Sequence, residues 1–150
     1  MDLVGISLST NVISAIIGKQ LFCQAINDAS NSIYGSLSSI IYYNDDIHDI
    51  LLKLDIKNKI KNIELLIQKI NKSNELINKC IENLHDIILL IREDIKQINI
   101  KIKNHKNLYF SNWRYINFTK ELKNITIHSN ILDIRLDFLI KTINIFNIAG

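Results

Sequence analysis

The residues with the widest chemical reach in this 150-residue sequence are four histidines and two cysteines: His48, His85, His105, His128, Cys23 and Cys80. Their spacing supports little chemistry. No two histidines stand four apart, so no helix presents a zinc-binding pair of the HExxH kind. Di-iron bundles need Glu-x-x-His on two facing helices plus further glutamates. Glu82-Asn83-Leu84-His85 supplies that tetrad once, and no second copy follows. Gly-rich phosphate loops, GxSxG elbows and recognisable Cys/His dyads are absent from the sequence. The expectation is therefore no catalytic residue, no metal, no cofactor and no enzymatic activity. Cys23 and Cys80 lie in apolar stretches, where a thiol is most often a buried small hydrophobe.

What remains is chemistry of surfaces. Lys53, Lys57, Lys59 and Lys61 form one basic cluster, and Lys96, Lys101, Lys103 and Lys106 form another. Such clusters attract anionic headgroups at about 1 kcal/mol per charge near a membrane, and nucleic-acid phosphates equally. With only three Arg and a net charge of +3, nucleic acid is the weaker expectation. The plainer reading is a solvated helix face. Tyr109, Phe110, Trp113 and Tyr115 crowd a short stretch beside Arg114. Aromatics mixed with cations stack bases or sit at lipid interfaces, but such a stretch more often braces the open end of a helical bundle. Leu3–Gly18 and Ala29–Asn44 carry no charge over sixteen residues each. Leu3, Val12, Ile16 and Ile17 are the candidates for entering a membrane. The preferred alternative makes this segment the buried central helix of a bundle.

These side chains need elements to hold them. The chain has no Pro and only four Gly, which disfavours the many turns of an all-β fold. Residues 3–41 show apolar positions every three to four residues, with Gly18 and Gly35 as candidate breaks. Tyr42 to Asp46 reads as a turn. From Ile60 to Ile102 thirteen positions follow strict 3-4 spacing, and Asn74 alone among them is polar. That is one long coiled coil or two bundle helices. Asn71, Lys72, Ser73 and Asn74 favour a turn, with Ser73 or Asn74 capping the second helix. Ile87, Leu89 and Leu90 add apolar residues beyond the seam, as expected of a helix inside a bundle. The last segment carries one stripe from Phe118 to Phe146. A second stripe, Ile127, Ile131, Ile134, Phe138 and Ile145, runs beside it. Two stripes predict a helix touching two neighbours. The fold expected is all-α: one up-and-down bundle of four to five helices over residues 1–150, with an aromatic brace.

Ile, Asn and Lys number 33, 19 and 15, a bias that A/T-rich codons produce. A protist, a large DNA virus or an AT-rich bacterium would supply such a genome. Ile and Asn are indifferent helix formers, so packing must hold the helices. Residues 1–50 carry −4 and residues 51–110 carry +5. The separated cysteines and the missing basic leader point to a reduced, cytoplasmic setting, with peripheral membrane contact as an option.

The order of segments supports a resemblance. Met1-Asp2, then Gly5-Ile6-Ser7, opens an apolar helix rich in small residues. Ile/Leu/Lys helices follow, then the aromatic stretch and a last helix. This pattern resembles the HeLo and HeLo-like domains of fungal cell-death proteins, and the four-helix bundle of mixed-lineage kinase-like necroptosis proteins. The resemblance implies a bundle that oligomerises and permeabilises membranes, with Lys53, Lys57, Lys59 and Lys61 on phosphoinositides. Lys101, Lys103 and Lys106 would extend that lipid contact. The rival expectation is a structural or oligomerisation protein, viral in one version, whose heptads bind a second copy or a host helix.

Overall fold

The computed structural model describes the backbone of residues 3–41, 45–71, 73–107 and 116–149, and the side chains of 19–40, 47–71, 73–107 and 116–147. Among the described residues the chain is helical: α1 (Leu3–Ile41), α2 (Asp45–Leu54), α3 (Ile56–Gln68), α4 (Glu75–Lys106) and α5 (Thr119–Ala149). The fold is an all-α bundle. The aromatic brace expected at Tyr109, Phe110, Trp113 and Tyr115 lies outside the described residues, as do the side chains of Leu3, Val12, Ile16 and Ile17.

α4 is the central element, flanked by α1 and α5. This corrects the expectation that the N-terminal segment would be the central helix. In α1 one face is buried, at Ile26, Ala29, Ile33 and Ile40, while Leu21 and the Asn27-Asp28 pair are exposed. In α4 the buried set from Ile77 to Ile102 spreads over a broad sector, and every apolar member of its predicted seam is buried. A helix needs such a sector to meet two large neighbours at once. α1 runs parallel to α4: Phe22 meets His85 and the Asn99 side chain donates to the Ser36 carbonyl. α5 runs antiparallel to α4, with Lys101 on Glu121 and Arg135 on the Asn83 carbonyl. α2 and α3 pack on α1 and α5.

Two chain reversals have local causes. The long seam breaks where the poor helix formers cluster. α3 ends at Gln68, and Lys19 crosses from α1 to donate to the Ile70 carbonyl. Asn74 is extended (φ −139°, ψ 177°) and its side chain accepts from the Ile77 amide at 2.9 Å. That is an N-cap, satisfying an amide the helix start leaves without an internal partner. The two-helix expectation therefore holds. Asp55 separates α2 from α3 with φ 52° and ψ 37°, in the left-handed region that Asp tolerates better than most side chains. Its carboxylate accepts from the Asn58 side chain at 2.8 Å.

Gly18 and Gly35 do not break α1, which is continuous. A Cβ at Gly35 would meet nothing within 4 Å, so this glycine serves no close approach. Its helix cost of about 1 kcal/mol is borne by the packing of α1 on α4.

The cap gives a direct check. Asn74→Ala should destabilise the protein by about 1 kcal/mol. Asn74→Ile, which would strengthen a continuous coil, should destabilise it too. Urea melts of both variants read this, and a stabilised Asn74→Ile protein with altered oligomer size would refute the turn.

Candidate interaction site

The second apolar stripe of α5 is where sequence and structure part. Ile125, Leu132 and Leu139 are buried on one face of α5, and Phe118, just before its start, is buried too. Ile127, Ile134, Phe138 and Ile145 are 45%, 68%, 53% and 64% exposed. At about 100° per residue their stripe lies nearly opposite the core face, so α5 cannot bury both against the same bundle. The expectation that both stripes would meet neighbours within the chain is corrected. Ile131 is half-buried, on the edge nearer α4. Leu90, expected inside the bundle, is also exposed, at 47%, whereas Ile87 is buried. Leu76 and Phe146 line an open groove between the start of α4 and the end of α5.

The seam is narrow. Positions 127, 131, 134, 138 and 145 alternate by four and three residues once Lys141 is counted between 138 and 145. That is heptad spacing with one charged position. Its outer flank carries both signs, with Asp137 and Lys123 exposed.

The α4–α5 contact behind this face is polar at intervals. Asp94, buried, pairs with the Nδ1 of His128. Lys101 pairs with Glu121 at 2.7 Å and also donates to the Asn117 carbonyl. Cys80, buried, faces the Thr142 hydroxyl at 3.9 Å. Burial pushes the Asp94 carboxyl above the usual carboxylate range, partly opposed by His128. Burial also pushes Glu121 up, but hydrogen bonding from Lys101 and a backbone amide outweighs it and holds the carboxyl low. These pairs were not legible in the sequence: the partners are twenty and thirty-four residues apart, and i,i+4 rules do not reach them.

The predicted lysines divide. Lys59 donates to the Ser129 hydroxyl at 3.1 Å and pairs with Asp133 at 3.0 Å. Lys101 is held by Glu121. Both make ion pairs to α5, with their side chains 25% and 39% exposed. Lys57 and Lys61 are exposed and sit 6.0 and 5.7 Å from the Tyr34 ring centre. The Tyr34 hydroxyl donates to Glu64 at 2.8 Å. Lys53, Lys103 and Lys106 are exposed. Glu82 pairs with Lys79 at 3.3 Å, while His85 packs on Phe22. Among the described residues no three His, Cys, Asp or Glu side chains gather as metal ligands, and no helix is long and apolar enough to cross a membrane. Cys80 is buried and Cys23 half-buried; burial pushes the Cys23 thiol up, against a smaller pull from Lys19.

The chain is similar to an uncharacterized protein, L717, of Acanthamoeba polyphaga mimivirus. The two are 27% identical over 165 aligned positions, covering 89% of this chain and 77% of that protein. It is also 25% identical to part of the 3'-5' exonuclease DinG of Staphylococcus haemolyticus, covering 85% of this chain but only 14% of that protein. No protein-family model and no solved structure matches the chain. Of the sources that composition left open (a protist, a large DNA virus or an AT-rich bacterium), these two relatives come from a virus and a bacterium.

The two carboxylates should give pH dependences of opposite sign. Glu121, held low, contributes stability present above the ordinary value of 4.5 and lost as pH falls through its folded value. Asp94, pushed up, contributes stability present below the ordinary value of 3.8 and lost as pH rises through its folded value. Across about pH 3 to 6, Glu121→Gln should therefore soften the loss of stability on acidification. Asp94→Asn should soften a loss on raising the pH. Urea melts at steps of pH read both slopes, and a slope unchanged from wild type in either variant counts against that assignment.

Proposed function

We propose that the protein is a non-catalytic helical interaction module that works by presenting the outward seam of α5 to another helix. The observation that carries this reading is the exposed heptad row Ile127, Ile134, Phe138 and Ile145 on a helix whose opposite face is already buried. Scattered exposed hydrophobics are ordinary, but several large ones aligned on one exposed helix face point to an interaction surface. Its period supports a helical partner, because knobs-into-holes packing requires 3-4 spacing. Kinship with a mimivirus protein fits a viral version of this role.

A second reading, association with anionic membranes as in the cell-death bundles, has the exposed Lys53, Lys57 and Lys61 in its favour. The commitment of Lys59 and Lys101 to internal ion pairs weakens it.

Photo-crosslinking separates the two. A benzophenone side chain at position 134 in the full-length protein should yield protein–protein adducts, and one at the exposed Gln68 should not. Adducts to lipid at 134 would transfer support to the membrane reading, and no adduct at 134 would overturn the docking role. On the membrane side, Lys53, Lys57 and Lys61 changed together to Glu should abolish co-sedimentation with phosphatidylserine vesicles. Retained binding by that triple variant would remove the lysine assignment.

A further inference from the structure

We infer that the helix seated on the outward seam of α5 is the α5 of a second copy of this chain, lying antiparallel about a two-fold axis near Leu136. The inference rests on the docking role proposed above and names its occupant.

The seam is self-complementary in only one direction. Antiparallel coiled coils set each position of one heptad row against the other type of position on the partner. Centred near Leu136, that arrangement sets Ile134 against Phe138 of the copy, Ile127 against Ile145, and Lys141 against Ile131. Four of the six layers are then wholly apolar. Lys141 lies beside Asn130 of the copy, whose amide oxygen can accept from its ammonium. In a parallel pair each residue faces its own equivalent, and Lys141 meets Lys141. Opposing two like charges inside a seam is unfavourable, and one charged seam position is a recognised means of fixing orientation.

The surface available is of the right order. The row from Ile127 to Ile145 runs about 27 Å along the helix. An Ile or Phe side chain left half exposed offers on the order of 100 Å². Ile127, Ile134, Phe138 and Ile145, with Leu90 and Leu76 on the neighbouring α4, thus offer on the order of 600 Å² per copy. The polar flank at Lys123, Asn130 and Asp137 brings this toward the roughly 800 Å² per partner of a stable complex. An isologous two-fold contact needs no second complementary surface elsewhere on the molecule.

A lipid surface fits the same residues less well. A helix lying on a membrane presents a broad apolar sector and solvates the opposite face. Here the apolar row is one seam wide, its flank holds Asp137 beside the lysines, and the opposite face is the bundle core.

The test uses the full chain. Sedimentation equilibrium of the wild type should show a monomer–dimer equilibrium. Ile134→Lys with Phe138→Lys should shift it to monomer, weakening association at least tenfold while leaving the thermal melt in place. Orientation is read with Cys23→Ser as background, Cys80 being buried. A mixture of Ile134→Cys and Phe138→Cys chains should form the mixed disulfide on mild oxidation faster than either forms a homodimer. Preferential Ile134→Cys homodimers would overturn the antiparallel arrangement. A wild type that stays monomeric at millimolar concentration would overturn the second copy as occupant. In that case protein adducts from position 134 to a different chain would leave the docking role standing, and lipid adducts would remove both.

Discussion

The burial of the isoleucine row of α4 is the constraint on which the rest of the structure depends. Ile is a middling helix former, because its branched Cβ loses freedom against the preceding turn. A 32-residue helix with Ile at most of its inward positions gains its stability from neighbours. Each fully buried Ile is worth about 1.5–3 kcal/mol relative to exposure, and α4 contributes seven of them at 0% exposure or close to it, from Ile81 through Ile98, counting Leu84. No single partner helix can cover a sector that wide. α1 and α5 must both lie against it, and α2 with α3 close the side of the bundle between them.

Packing of this kind specifies which face is inside more strongly than it specifies how two helices slide past one another. Isoleucine repeated every three or four residues looks alike from turn to turn. Along α4 and α5 the polar contacts supply the missing information. Asp94 with His128, Lys101 with Glu121 and Arg135 with the Asn83 carbonyl are spaced along the shared face. Sliding α5 by one turn would strand the buried Asp94 without its partner, and an unpaired buried carboxylate costs far more than a shifted Ile contact. On the far side of α5, Lys59 does the same with Ser129 and Asp133. Lysines that a sequence presents as a basic patch thus serve, in part, as register pins.

The helices were legible because their cause is local and periodic. Twelve apolar seam positions between Ile60 and Ile102 repeat without error, and all twelve are buried. The turn at Asn74 was legible because capping chemistry sits in adjacent residues. Which helix would be central was not, since uncharged stretches in α1 look as buried as the Ile rows of α4. Counting charge misses that Asn and Ser hold an exposed face as well as Lys does. The ion pairs were not legible either, because they join residues brought together only once the helices have packed.

The outward seam of α5 shows a deeper limit on reading a sequence. Heptad spacing states that a face wants an apolar neighbour, and the statement is true of both stripes of α5. It does not state whose neighbour it is. Within the chain the inner stripe of α5 is covered by the bundle, and geometry forbids the same bundle from reaching a face turned nearly half a revolution away. The two stripes therefore carry different information despite equal periodicity: the inner one is a folding signal and the outer one is a surface. Burial, which only the folded chain reveals, separates them. Because the outer row is exposed and its helix is already held by the opposite face, replacing it by Asn and Lys, both plentiful in this chain, would cost the bundle little. Its apolar character on an exposed face is the feature that folding does not account for, and the proposed docking would.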